Sequence, residues 1–488
     1  MSIKQTIQYQ SQKTWKFSLN SKPAWRAIFG LIAAILVLLL LMPRLAILVF
    51  PFGSLAVGIY LYRYYPALYI GFTLWMWFVG PFVRRLIDYR CRYVTNWPFS
   101  LAPILVTSIT IATLIRYLPR DYKRDGFPFL LVIGSIFYSF FIGLARQPVG
   151  DIDKEIIVLM SWLCPILFGY HLYINWKSYP DYSKVIQSAF LWGVLVMGAY
   201  GVIQFLTQPA WDVFFFQNND VGWMGEMEGS RLRIRVWSTM RGSIEFAVNL
   251  MPGLILLLIS KSKLRFPAAV FGFLAFLLSL ARTAWYSWVV GMMLFVISLK
   301  ERQQIKTFIV IATIVIFAVP LTTVKPFSEV ISSRFDSIVN LESNGSYQTR
   351  VAQFNESIDA SLFEVVGWGL LAPGQSPPSA IDGSNPFNFS TNDNGYLVAL
   401  VSLGWFGTLG YLGGLALLFF RLFQTNCPDI FVTAARSIAF GSLTRLMTNN
   451  ITIGDYAMPI WIFLGIAIAG RKYYVVRHQL STKELSIS

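Results

Sequence analysis

Arginines define the chemistry open to this sequence. Arg231, Arg233 and Arg235 alternate in "RLRIR", so an extended backbone puts all three on one face. Arg241 follows shortly after, and Arg282 stands alone in the apolar stretch "LLSLARTAWYSWVVGM". Arg334 and Arg350 lie in a polar segment further on. A guanidinium stays charged at any working pH and offers parallel N–H donors that fit a phosphate. A charge near the middle of a bilayer costs about 2.5–3.5 kcal/mol on insertion scales. Arg282 is therefore either a side chain that snorkels from a short turn to lipid headgroups, or a ligand for an anion. For the set as a whole, the alternatives are a solvated basic surface against anionic lipid and a built phosphate site.

Carboxylates accompany the arginines: Glu226, Glu228, Glu245, Glu356, Asp359, Asp382 and Asp393. Glu245 stands four residues after Arg241, and the plain reading is a local ion pair. Asp393, in "STNDNGYLVAL", either caps a helix or acts as a general base at the membrane surface. Trp211, Phe214, Phe215, Phe216, Trp223 and Trp237 suit an interfacial belt, or stacking against sugar faces. The cysteines (Cys91, Cys164, Cys427) and histidines (His171, His478) are scattered, without metal or disulfide spacing. No metal or cofactor is expected, and there is no phosphate-loop or dinucleotide fingerprint.

These residues must be positioned by a membrane protein. Of 488 residues, 55% are hydrophobic and 13% charged, against about 25% charged in soluble domains. Mean hydropathy is +0.56. The net charge of +16 reflects in part the basic residues that orient spans, and nucleic acid is excluded because no soluble basic domain exists to hold it. Apolar runs of spanning length predict an all-α polytopic helix bundle of about 12–14 spans. The expected organisation is a cytoplasmic tail (1–24), an N-terminal transmembrane bundle (25–206), an outer loop (207–240), further spans (241–324), a long periplasmic loop (325–392), C-terminal spans (393–470) and a second tail (471–488). The first two runs share the break "MPR" at 42–44 and admit a re-entrant alternative. The run near 432–450 is weakened by Arg436 and Arg445.

Basic clusters orient the chain. The N-terminal tail, the 116–124 loop, Lys177 with Lys184, Lys261–Lys263–Arg265, Lys300–Arg302–Lys306 and the C-terminus all fall on the cytoplasmic side of a fourteen-span reading. One stretch dissents: "RRLIDYRCRY" (84–93) lands outside. Either an early span is miscounted, or those arginines have work on the outer face. In the long loop, Val351, Phe354, Ile358 and Leu362 recur at helical spacing and predict an amphipathic helix.

Four pieces, in order, resemble the O-antigen ligase and O-antigen polymerase family of bacterial envelope enzymes. They are "RIRVWSTMRGSIEFAVNLMPGLIL", "LLSLARTAWYSWVVG", "TRVAQFNESIDASLFEVVGWGLL" with Gly367 and Gly369, and "STNDNGYLVALVSLGWFGTLGYL" with Gly404 and Gly407. Together they span roughly residues 230–470. The resemblance implies a GT-C-like multi-span transferase in the bacterial inner membrane, with its site facing the periplasm or exterior. The donor would be a glycan on undecaprenyl diphosphate, and the reaction would need no metal. By position, Arg282 and Arg350 would hold the diphosphate and Arg241 would assist. Arg233, Arg235 and Asn394 would contribute to substrate binding, and Asp393 would stand where the family's ligases carry a histidine base. That departure favours polymerisation of O-antigen or exopolysaccharide repeat units, or another glycan transfer, over ligation to lipid A core. Implied partners are the bilayer, the lipid-linked glycan and envelope proteins such as a chain-length regulator. The competing expectations are a transporter or flippase for a lipid-linked glycan or anion, and an assembly scaffold.

Overall fold

The structure is a computed structural model that describes residues 21–92, 100–121, 126–146, 152–218, 225–228, 231–323, 362, 365–370, 394–424, 427–448 and 451–485. Its first half comprises α1 (Lys22–Leu41), α2 (Pro43–Tyr64), α3 (Pro66–Cys91), α4 (Leu101–Ser108), α5 (Ile111–Asp121), α6 (Phe127–Arg146), α7 (Ile152–Ile174) and α8 (Tyr179–Thr207). Then come α9 (Ala210–Asn218), β1 (Gly225–Glu228) and β2 (Arg231–Ile234). The remainder is α10 (Ser243–Ile259), α11 (Arg265–Leu278), α12 (Arg282–Ile297), α13 (Glu301–Thr323), α14 (Gly395–Phe423), α15 (Ile430–Leu443), a 3₁₀ turn (Thr444–Met447) and α16 (Gly454–Leu485).

The architecture is a polytopic helical membrane bundle, with one short antiparallel ribbon as its only described strand pair. Among the described residues, nine helices are long and apolar enough to cross a bilayer, and α10, α11 and α12 are shorter apolar helices. The break at Met42 separates two of these nine helices, each long and apolar enough to cross by itself. Proline opens α1, α2, α3 and α8 in the first turn, where its missing N–H leaves no intrahelical bond unmade.

Close contacts fix the directions of the helices. Gly198 and Gly201 of α8 meet Gly272 and Ala275 of α11, so these two run parallel. A Cβ on Gly198 would sit 2.7 Å from the Gly272 nitrogen, an approach only small residues permit. Gly407, Gly410 and Gly414 of α14 meet Tyr138, Ser135 and Leu131 of α6, which makes that pair antiparallel. Ser287 donates to the Gly441 carbonyl and Gly291 faces Ser437, so α12 and α15 are also antiparallel. These pairings gather the C-terminal ends of α3, α8 and α11 with the N-terminal ends of α10, α12, α14 and α16. That end of the bundle is called the site end below.

Residues 84–92 lie at the site end, and the first two arginines of this stretch are absorbed by the fold. Arg84 pairs with Asp88 at 2.9 Å, and Arg85 pairs with Asp212 of α9 at 2.6 Å, all four side chains buried. Arg85 also donates to the Ser238 carbonyl and lies against the rings of Phe82 and Phe215. Asp212 accepts further bonds from the Tyr200 hydroxyl (2.6 Å) and from Nε2 of Gln204 (2.9 Å). The Gln204 carbonyl oxygen receives the amides of Trp237 (3.1 Å) and Ser238 (2.8 Å). Thr239 Oγ1 donates to the Phe78 carbonyl at 2.5 Å. One buried network thus clamps residues 237–239 onto α3, α8 and α9.

Losing one member of a buried ion pair strands the other charge and costs about 3–5 kcal/mol. Asp212→Ala should lower the melting temperature in detergent by an amount in keeping with that loss. Adding Arg85→Met to it should cost less than the two single losses combined. A strictly additive double-mutant cycle would show that the two side chains do not interact.

Candidate functional site

Arg282 is the first residue of α12, directly after a sharp turn from α11. Leu280 adopts a positive φ of 53° there, and Ser279 bonds back to the Phe276 carbonyl. The aromatic rings of Phe273 and Phe276 pack against Trp288, and Trp285 donates to the Phe276 carbonyl at 3.0 Å. The hairpin is short. Its arms have 14 and 16 residues, about 21 and 24 Å, against a hydrocarbon core of about 30 Å. The Leu278 carbonyl accepts from the Val236 amide at 3.0 Å, and Val236 lies against Gly201 of α8. Gly201 is about 9 Å below the last residue of α8 along its axis. Arg282, half-buried, is therefore recessed into the bundle and not raised on a surface loop.

The electrostatics of this helix start favour an anion. Helix N-termini carry partial positive charge from unpaired N–H groups. They normally recruit a capping side chain or an acid, but α12 has no side-chain cap and no acid in its first turn. A cation stands there, so the guanidinium and the helix end add their fields.

Around it, the site end carries a polar cluster built by α10, α16 and the 3₁₀ turn. Glu245, expected to pair locally with Arg241, is buried and receives the Tyr456 hydroxyl from α16. Asn249 ties the two helices by donating to the Glu245 carbonyl (2.9 Å) and the Asp455 carbonyl (3.1 Å). Arg241 is exposed and within electrostatic reach of Glu245, Asp455 and Tyr456. The Glu245 Oε2 and Asp455 Oδ1 atoms are buried without a hydrogen-bond partner. Arg445 is fully buried and donates to the Tyr456 carbonyl at 3.1 Å.

Asp455, Tyr456 and Arg445 were not among the residues singled out from sequence. Their signal was present: charges inside apolar runs mark function or a specific partner. Arg445 was instead read as a weakness in a span.

The other expected site residues are distributed as follows. Arg233 lies in β2, whose register sets it opposite Glu226 and sets Arg231 opposite Glu228. The backbone of "RLRIR" is extended over 231–234, and Arg235 follows the strand, half-buried. Asn394 is the N-cap of α14, its Oδ1 accepting the amides of Tyr396 (3.0 Å) and Leu397 (3.3 Å). The capping role weighed for Asp393 thus belongs to its neighbour. Asp393, Arg350 and Arg334 lie outside the described residues, as does the amphipathic helix expected over 351–362 apart from Leu362. Trp237 is fully buried against Phe215, and the half-buried Trp211 donates to the Tyr200 hydroxyl.

The glycine motifs turn out to be one device. Gly404 breaks α14 with φ 63°, and residues 365–370 lie against the break. Trp368 and Gly369 donate to the carbonyls of Val401 (2.8 Å) and Ser402 (3.2 Å), and the Trp405 amide donates to Val365 (3.0 Å). Gly367 (φ 89°) and Gly369 (φ 102°) need both their backbone freedom and their missing Cβ. A Cβ on Gly367 would sit 2.5 Å from the Gly404 nitrogen, and one on Gly369 would strike Gly143 of α6. Arg146 covers Trp368 with its guanidinium 4.7 Å from the ring centre.

Residues 267–412 match the family model described as O-antigen ligase. Over these residues the chain is similar to O-antigen ligases. The match runs from the first turn of α11 into α14, so it takes in Arg282, the long loop and all four motif glycines. The first resembling piece, 233–256, and the Glu245–Asp455–Arg445 cluster fall outside it. No curated protein matches the chain. The apolar helices mark a multi-pass membrane protein, and the match over 267–412 supports a membrane enzyme of the glycan-ligating class.

Gly404→Ala would drive a methyl group into the Val366 backbone. The expected result is release of the 365–370 segment, read as faster hydrogen exchange at the Trp368 and Gly369 amides with the amides of α10 unchanged. Unaltered exchange would mean that the glycine contact does not hold the segment.

Proposed function

We propose that the chain transfers a glycan from a polyprenyl diphosphate to an acceptor hydroxyl at the site end. The observation that carries this reading is Arg282: a recessed cation at an uncapped helix N-terminus, inside the region matched by the O-antigen ligase family. Basic residues at the opposite end, among them Lys22, Arg63, Lys261, Lys263, Lys300 and Arg302, suit a cytoplasmic face there. The site end would then face the periplasm or exterior, where lipid-linked glycans are polymerised or ligated.

The chemistry is a displacement. The acceptor oxygen bonds to the anomeric carbon as the bond from that carbon to the diphosphate breaks. The electron pair leaves with the diphosphate, whose growing charge Arg282 and Arg350 stabilise. The acceptor proton passes to a carboxylate, in this reading Asp393, at the position where ligases of the family carry histidine. In this reading Arg241, Arg235 and Arg233 contribute to substrate binding, and Asn394 caps the start of α14. Its amide N–H₂ remains available to a ligand, because the cap uses only its oxygen. Polymerisation of repeat units is the reaction this constellation fits best, because the ligase histidine is replaced.

Arg282→Ala should remove one preorganised cation and lower transfer about 100-fold or more, the order seen when a single transition-state donor is lost. The assay is polymer formation from a lipid-linked repeat unit by purified protein, with protein level and melting temperature held as controls. Wild-type polymer from the variant would overturn the reading. Transport of the lipid-linked unit into vesicles without a new glycosidic bond would point to a carrier.

A further inference from the structure

We infer that Arg445 is a third anion ligand of the site, gripping the diphosphate together with Arg282; this rests on the diphosphate reading above. Arg445 sits on the 3₁₀ turn between α15 and α16 and is fully buried. Its Nη2 serves the Tyr456 carbonyl, while Nε and Nη1 are buried with no hydrogen-bond partner. No carboxylate among the described residues forms a salt bridge with it. A buried guanidinium with idle donors and no counter-charge is among the costlier arrangements a fold can hold, and it persists where an anion is to be met.

Its neighbourhood names the anion. The 3₁₀ turn packs against both α12 and α14, the helices that begin at Arg282 and at the Asn394 cap. The antiparallel register that sets Ser287 beside Gly441 runs the following turn toward the first residues of α12. Counted from that register, Arg445 falls at the level of the first turn of α12. Two guanidiniums and a helix N-terminus converge on one level of the bundle, and a diphosphate carries two phosphoryl groups to share among them. Sequence position alone hides this, because Arg445 is far from Arg282 along the chain and interrupts an apolar run.

The test separates a ligand from a brace. Purified wild type, Arg445→Met, Arg445→Gln and Arg282→Ala in nanodiscs are titrated with undecaprenyl diphosphate, with undecaprenol as the uncharged control, and melted without ligand. Methionine fills the volume and removes the stranded charge; glutamine also keeps a donor for the Tyr456 carbonyl. The expected result is an unliganded melting temperature at or above wild type in at least one Arg445 variant. Its affinity for the diphosphate should fall about tenfold or more, and undecaprenol binding should not change. Wild-type affinity in a folded Arg445 variant overturns the inference. So does a lowered melting temperature, or failure to fold, in both variants, which would make Arg445 a structural brace. Weakened binding by Arg282→Ala beside normal Arg445 variants defeats this inference alone. Undiminished binding by Arg282→Ala defeats the diphosphate reading itself.

Discussion

The buried pair of Arg85 and Asp212 is the fixed point on which the site depends. In a low-dielectric interior each charge is tolerable only with the other in place. The pair carries with it the Gln204 and Tyr200 bonds and the Ser238 carbonyl. Residues 237–239 are thereby held, and the neighbouring Val236 amide bonds to the end of α11 at Leu278. That bond places the α11–α12 turn, and the turn places Arg282. A chain of short contacts therefore runs from an ion pair on α3 and α9 to the helix start where the chemistry is proposed.

Depth is the second constraint. The two arms of the α11–α12 hairpin are too short to cross a bilayer at full height, so their junction ends below the top of α8. A cation at that depth feels less solvent screening than one on a surface loop, and it strengthens the field of the uncapped helix. The glycine pair on the other side works to the same end. The segment 365–370 enters the break in α14 and ties an interior part of the long loop to the bundle, below the Asn394 cap. Both sides of the site are anchored within the bundle, and the polar cluster of α10 and α16 lies between helices that both begin at that level.

Much of this was legible in the sequence. Apolar run lengths gave helices close to their observed positions, and the isolated arginine in "LLSLARTAWYSW" marked the turn between α11 and α12. Alternation in "RLRIR" anticipated β2. The basic stretch at 84–93 left a miscounted span and arginines with work on the outer face as alternatives; in the structure Arg84 and Arg85 are held in buried ion pairs. What the sequence could not show were partners distant along the chain: Arg85 with Asp212, 127 residues apart, or Ser139 with the Ser402 carbonyl, 263 apart. Local patterns do not encode such pairings. For the same reason Gly367 and Gly404 looked like two motifs although they form one contact, and Arg445 looked like a defect in a span. The cap falls to Asn394, beside the Asp393 for which capping was one of two readings, because Asp and Asn are near-equal N-caps.

The central claim is that the lipid diphosphate is held at the start of α12. A cryo-electron density map of the chain in nanodiscs with undecaprenyl diphosphate tests it most directly. The account predicts headgroup density against the Arg282 guanidinium and the first amides of α12, with the polyprenyl tail leaving toward lipid. Headgroup density at the opposite end of the bundle, or on the surface remote from α12, would contradict it.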